Sequence, residues 1–416
     1  MTPEIKQRIE QIRRGEVPEG YVKKRKVVIP QQWGLPQIKD IASISSGSTP
    51  NRNNSEYWNG NIAWVTTGEL SSGHVNHTSE LITVKAVKET KMRIYPQGTL
   101  LMAMYGQGKT RGTVAILEID AAVNQACAAI TVKDGKSKFL FYQLKNSYQD
   151  IRKLSNTGNQ ENLNADIIKT YQVPWAPDEE QERISTILTT QDKVIELKEK
   201  QLAEKQRQKK YLMQQLLTGK KRLPGFYGAW SFPKAKELFQ SVSDKDHNGD
   251  LAVLSSTQDR GIVPRDEVDI DIKYDACSLV NYKKVSKGNF VISLRSFQGG
   301  IEYSTYTGLV SPVYTVLSSR KEISDGYYKQ FFKSTDYINR LNVAVYGIRD
   351  GKQISYEDFG RLRIPYPPIK EQDAIAEVLS TADREVNLLR QDIEQEKQKK
   401  KALMQLLLTG IVRVKT

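Results

Sequence analysis

Four short stretches of this chain combine glycine with cationic, amide and aromatic side chains. They are Tyr105-Gly106-Gln107-Gly108-Lys109-Thr110-Arg111-Gly112, Gly158-Asn159-Gln160-Glu161-Asn162, Arg295-Ser296-Phe297-Gln298-Gly299-Gly300 and Tyr346-Gly347-Ile348-Arg349-Asp350-Gly351-Lys352-Gln353. Such side chains suit contact with nucleic acid. Arginine pairs bidentately with guanine and glutamine or asparagine with adenine, while lysine and backbone amides hold phosphates. Glycine lets the backbone approach closely. Arg52, Gln258 and Arg260 complete the set of candidate DNA contacts. Taken singly, each turn reads equally well as a polar surface hairpin. The four together, in a chain of net charge +14 and pI near 9.4, favour DNA.

Other chemistry finds little support. Phe297-Gln298-Gly299-Gly300 and Ser311-Pro312-Val313-Tyr314 resemble the cofactor loop and catalytic tetrapeptide of an amino-methyltransferase. Val313 stands where that tetrapeptide needs proline, and the two lie too close for a nucleotide fold between them. Pro177-Asp178 with Glu196-Leu197-Lys198 fits a loose nuclease pattern, but on one helix Asp178 and Glu196 would lie roughly 27 Å apart. No phosphate-binding G-x-x-x-x-G-K-[ST] loop occurs. His74 and His77 sit in a polar, loop-like stretch without neighbouring ligands, so no metal is expected. Cys127 and Cys277 fall in different halves, which disfavours a disulfide.

The elements that must position the turns come in duplicate. Leu212 to Gly219 reads L-M-Q-Q-L-L-T-G, and Leu403 to Gly410 reads L-M-Q-L-L-L-T-G. The Gln181–Gln372 and Gly219–Gly410 separations are the same, 191 residues, so no gap intervenes. Each copy predicts one long helix of roughly 60 Å. Ile184, Leu188, Ile195, Leu202, Leu212 and Leu216 form the apolar stripe of the first. Ile375, Leu379, Val386, Leu389, Ile393, Leu403 and Leu407 form that of the second. Both helices start acidic and end basic, which favours antiparallel pairing. Lys198, Lys205 and Lys209 at core-type positions predict a weak or wet seam in the middle.

The remaining segments carry short β-rich runs such as Ile62–Thr67, Leu100–Tyr105, Ala128–Val132 and Val313–Leu317. Trp33 with Pro36 opens one, and Trp230 with Pro233 opens the other. The expected fold is α+β, with two globular domains joined and spaced by two long antiparallel helices in a coiled coil. An internal pseudo-two-fold relates the halves. The expected divisions are residues 1–28, a partial third repeat; 29–177, the first domain; 178–222, the central helix; 223–367, the second domain; and 368–416, the C-terminal helix. Arg13 to Tyr21 echoes Thr218 to Phe226, so the repeat is circular. Ile5, Ile9 and Ile12 are then expected to pack near Leu403, Leu407 and Leu408. No run approaches the roughly 18 apolar residues of a membrane span, nor does the N-terminus hold a signal peptide. A cytoplasmic protein is expected.

The Glu-Gln helix starts, the L-M-Q-x-L-L-T-G endings, the tryptophan-proline domain openings and the pattern from Gly108 to Ile130 carry a resemblance. The chain resembles the specificity subunit of a type I restriction–modification enzyme over essentially its whole length. The resemblance implies a non-catalytic subunit with two target-recognition domains, each reading half of a split site in double-stranded DNA. The helices would space the domains and seat two modification (methyltransferase) subunits. S-adenosylmethionine and ATP would reside on partner subunits, the latter on restriction subunits. Recognition domains in the family vary, so no base-reading residue carries over. A stand-alone duplicated DNA-binding regulator and a methyltransferase in its own right are the alternatives.

Overall fold

The computed structural model describes residues 2–106, 108–154, 162–268, 276–294, 296–344 and 354–414. It divides into two units. Unit 1 comprises Met1–Leu197 with Ile393–Thr416, and unit 2 comprises Lys198–Asp392. The central helix (Asp178–Leu216) and the C-terminal helix (Ile369–Leu407) therefore each begin in one unit and end in the other.

In unit 1 a five-stranded sheet runs in the order Ala42–Ser46, Cys127–Val132, Leu100–Ala103, Val114–Leu117, His74–Val75. The central strands are covered on both faces, and alternate residues go to different cores. Leu100, Met102, Val114, Ile116, Ala128 and Ile130 face a core shared with the helix Ser137–Asn146. Leu101, Ala103, Ala115, Leu117, Cys127 and Ala129 face a second core with Val65, Leu70 and Val123. Burial pushes the Cys127 thiol up to about 12. Iodoacetamide at pH 8 is therefore expected to leave Cys127 unlabelled in the folded chain and to label it in urea. Peptide mass spectrometry checks this, and labelling at equal rates would contradict it.

Unit 2 repeats the frame with fewer residues per strand. Its four-stranded sheet runs Phe239–Val242, Thr315–Ser319, Phe290–Ile292, Glu302–Tyr303. Phe290, Ile292 and Leu317 enter an aromatic core with Phe239, Tyr327, Tyr328, Phe331, Phe332 and Phe359. Val291 and Val316 enter a smaller one with Leu254, Ile262, Val285 and Val310.

The helix stripes serve two purposes. Ile184, Leu188 and Leu407 are part of the main core of unit 1, with Leu403 packed against it. Leu216, Ile375 and Leu379 are part of that of unit 2, with Leu212 packed against it. Ile195, Val386 and Ile393 are also buried, while Leu202 and Leu389 are half-buried. The stripe thus continues from helix pairing into the domain interiors, because a helix end lying on a sheet-and-helix layer buries the same face. Within each unit the helix segments run antiparallel. In unit 1 Gln191 Nε2 donates to Glu396 Oε2 at 2.6 Å, and Lys400 pairs with Asp192. In unit 2 Lys198 meets Asp392 at 2.6 Å, Lys205 meets Glu385 at 2.7 Å, and Lys209 pairs with Asp383. The three lysines that predicted a weak seam therefore hold acidic partners across it.

What the repeated Glu-Gln pair does is now visible. Glu180, fully buried, accepts from Trp33 Nε1 at 2.9 Å and from Arg413 Nε and Nη2 at 2.8 and 2.9 Å. Glu371, equally buried, accepts from Trp230 Nε1 at 2.9 Å and from Arg222 Nε and Nη2 at 2.5 and 2.7 Å. Arg222 and Arg413 follow the two Thr-Gly helix endings at the same offset. The C-terminal tail thus enters unit 1 as the link after the central helix enters unit 2. The N-terminal helix (Pro3–Arg13) joins that tail through Arg8 Nη1, which donates to Ile411 O at 2.6 Å, and Tyr21 Oη donates to Gly410 O at 2.7 Å. The expected apolar contact is not what holds it. Ile5, Ile9 and Ile12 stay half-exposed, outside the core that takes Leu407 and Leu408. No helix among the described residues is long and apolar enough to cross a membrane.

Candidate nucleic-acid interface

The turn from Tyr105 to Gly112 links two buried strands that pair Met102 with Val114. Its glycines take left-handed conformations, with φ of 136° at Gly106, 62° at Gly108 and 82° at Gly112. A Cβ on Gly106 would lie 2.8 Å from Thr110 Cβ, so the tight bend requires glycine there. The helix Tyr148–Lys153 grips the turn from beneath. Arg152 donates to Gly108 O and to Arg111 O, both at 2.8 Å, and to Tyr148 Oη at 3.1 Å. Tyr148 Oη donates to Lys109 O at 2.6 Å. Three carbonyls of the turn are thus tied inward, and the Lys109 side chain is exposed, as is Tyr105 at 40%. Arg111, expected to reach outward, is only 8% exposed. Gly112 follows it in a left-handed conformation and turns the chain back onto Arg152, which draws the Arg111 backbone toward the helix.

Sequence reading did not single out Tyr148 and Arg152. Their signal is the i, i+4 spacing on a helix, which puts both on one face. Replacing Arg152 with alanine is expected to free the turn and weaken DNA binding by about tenfold. Lysine should not restore it, since one ammonium cannot reproduce the fork that spans two carbonyls. Fluorescence anisotropy with a labelled duplex measures this, and wild-type affinity for the alanine variant would disprove the role.

Arg52 is placed differently from a free base reader. Its guanidinium pairs with Glu80 through both Nη atoms, with Nη2–Oε2 at 3.0 Å. It lies 4.1 Å from the Trp58 ring centroid and 4.9 Å from that of Trp64. The fork braces an asparagine-rich loop against two indoles, and the side chain stays 53% exposed.

In unit 2 Gln258 and Arg260 occupy the exposed tip of the hairpin Leu254–Thr257 and Gly261–Pro264. Arg260 Nη2 donates to Glu267 O at 2.8 Å. Beneath them Lys333 pairs with buried Glu302 and donates to Gln258 O at 3.2 Å. Burial raises the Glu302 carboxyl above its ordinary value. These residues, with Tyr303, Lys329, Gln330 and Asp383, line a cleft of about 500 Å³. Gln298 is exposed on the short helix Ser296–Gly299. The structure thus gathers Tyr105 with Lys109, and Gln258 with Arg260. Gln107, Gln160, Arg295, Tyr346, Arg349, Lys352 and Gln353 lie outside the described residues. His74 Nδ1 is 2.7 Å from Glu118 Oε1, and His77 Nδ1 is 2.6 Å from Asn76 Oδ1.

Comparison with known proteins adds the decisive context. The family model described as the type I restriction modification DNA specificity domain matches residues 30–207 and again 229–398. Over 179 residues the chain is 35% identical to the type I restriction enzyme MjaIX specificity subunit of Methanocaldococcus jannaschii, covering 42% of this chain and 41% of that relative. It thus spans less than half the length of that relative. Over 415 residues it is 26% identical to the putative type I restriction enzyme MjaX specificity subunit of the same organism, covering 93% and 95%. In fold it is similar to the crystal structure of a type I restriction-modification S subunit from M. genitalium. That match has a TM-score of 0.55 and 13% identity, over 93% of this chain and 98% of the other.

Proposed function

The chain belongs to the type I restriction modification DNA specificity family, and we propose that each of its two units reads one half of a split DNA site. It is the DNA-recognition subunit of such a complex and carries no catalysis itself. The observation that carries this reading is the duplication: the specificity domain matches twice, and each match runs into one of the two 39-residue helices. A domain present twice in one chain suits a site read in two parts. The helices act as the spacer, related by a pseudo-two-fold, and as the seat for two modification subunits, one per repeat. Those subunits carry S-adenosylmethionine; this chain supplies position and sequence choice. The exposed Tyr105, Lys109, Gln258, Gln298 and Arg260 are the contacts of first choice, with Arg111 and Arg52 supporting their loops.

The test is to express the modification subunit with and without this chain and to map adenine methylation across the host genome. Methylation at one bipartite sequence, present only with the chain, is expected. Methylation that is the same without it, or none with both present, would overturn the reading.

A further inference from the structure

Unit 2 buries a carboxylate at a position where unit 1 has alanine. In unit 1 Leu101 pairs with Ala115 across two strands, and both lie in the second core. In unit 2 Val291, also in the second core, pairs with Glu302. Ala115 and Glu302 are therefore counterparts. Glu302 is 2% exposed, and its Oε2 has no hydrogen-bond partner among the described residues. Burial pushes its carboxyl up, so the charged form is costly there. The sheet of unit 1 closes over alanine at this place, so the frame itself does not require an acid.

The cation that answers Glu302 belongs to the repeat. Phe139 meets Trp33 with ring centroids 6.4 Å apart, as Tyr327 meets Trp230 at 6.5 Å. Tyr142 donates to Asp192 as Gln330 donates to Asp383. The same offset aligns Lys145 with Lys333. Lys145 Nζ lies 5.3 Å from the Phe141 ring centroid, whereas Lys333 pairs with Glu302 and donates to Gln258 O at 3.2 Å. Lysine is common to both units, and the acid that fixes it is particular to the second. Two close approaches seat the pair. A Cβ on Gly300 would lie 2.0 Å from Phe332 O, and one on Gly261 would lie 2.8 Å from Tyr303 O, so both positions need glycine.

The hairpin tip Gln258-Asp259-Arg260 is exposed, and its shape is closed locally. Thr257 Oγ1 accepts from the backbone N–H of Arg260 at 3.2 Å and donates to Gly261 O at 2.9 Å. Its placement depends on a distant group, since Lys333 reaches it from 75 positions on. Asp259 lies near enough to Glu302 to push that carboxyl further up. Without the Lys333 ammonium, the two carboxylates would drive the tip away from the sheet.

We propose that Glu302 and Lys333 are positioning residues, which fix the tip that presents Gln258 and Arg260 to one half of the DNA site. This rests on the reading above that unit 2 reads such a half. A buried ion pair is a poor source of stability, and apolar replacement of both partners is often neutral or stabilising. A pair kept here for the fold alone would have no advantage over the alanine that serves unit 1.

The test replaces both partners, Glu302→Ala with Lys333→Met, so that no charge is left buried alone. The chain is assembled with its modification subunit. Fluorescence anisotropy then uses a duplex carrying the site methylated in the host, and duplexes with single base changes in either half. Binding about tenfold weaker on the unchanged duplex is expected, with discrimination lost in one half and kept in the other. Hydrogen exchange should quicken at 254–264 and stay as in the unaltered chain across 315–332 and 356–364. Wild-type affinity and discrimination would overturn the inference, as would an equal loss on every duplex or in both halves. Faster exchange throughout unit 2 would overturn it too, since the pair would then hold the fold rather than the tip. If the unaltered complex itself does not discriminate among these duplexes, the proposed function falls instead.

Discussion

Exchanging residues 232–364 for the corresponding stretch of a relative is expected to change one half of the methylated site and leave the other half as it was. The physical ground is that unit 2 has its own interior. Its aromatic core and its smaller aliphatic core are built from unit 2 residues alone. The chosen boundaries leave Arg222, Trp230 and Glu371 in place, so the buried carboxylate keeps all its donors. They also cut next to the bridge between Ser231 and Tyr366, where the chain enters and leaves the domain side by side. The effect on sequence choice should be large, because each wrong base pair in a recognised site costs about 1–3 kcal/mol. Single-molecule sequencing of host DNA reads both halves at once. If every exchanged chain that still supports methylation alters both halves, the units do not read independently.

Replacing Glu371 with alanine is expected to destabilise unit 2 by about 3 kcal/mol. The carboxylate is fully buried and accepts from an indole and from the Nε and Nη2 of a guanidinium. Without it, Trp230 Nε1 and Arg222 are left in a partly closed site with no acceptor. The value sits at the low end for a broken buried pair, since the Arg222 side chain keeps 25% of its surface in water. Glu371→Gln should cost less, because one oxygen remains to accept from Trp230. Hydrogen exchange read by mass spectrometry assigns the loss to peptides: faster exchange across 235–364, with 38–132 as in the unaltered chain, is expected. Glu180→Ala should reverse that pattern. An alanine variant within 1 kcal/mol of wild type, judged by the same exchange rates, would show that the triad does not hold the unit together.

Much of the architecture is written along one dimension. Helical periodicity, the proline starts and Thr-Gly ends, and the 191-residue repeat are properties of neighbouring residues and of the chain compared with itself. They lead to two β-rich domains, two long helices and a circular connection without any knowledge of distant contacts. The basic balance and glycine turns pointed to DNA for the same reason: charge and residue type can be counted. What side chains do within that frame was decided elsewhere. Arg111 and Lys109 look alike in sequence, yet one is buried and the other exposed, because Arg152, some forty positions on, ties down the carbonyls around them. Arg52 reads as a free cation until Glu80 and two tryptophans close on it. Gln181 and Gln372 share the same P-x-x-E-Q frame, yet a separate turn bonds the Gln372 oxygen while the Gln181 oxygen has no hydrogen-bond partner among the described residues. Residue type and spacing set which groups are available; the approach of segments remote in sequence sets which of them are already spent on the fold.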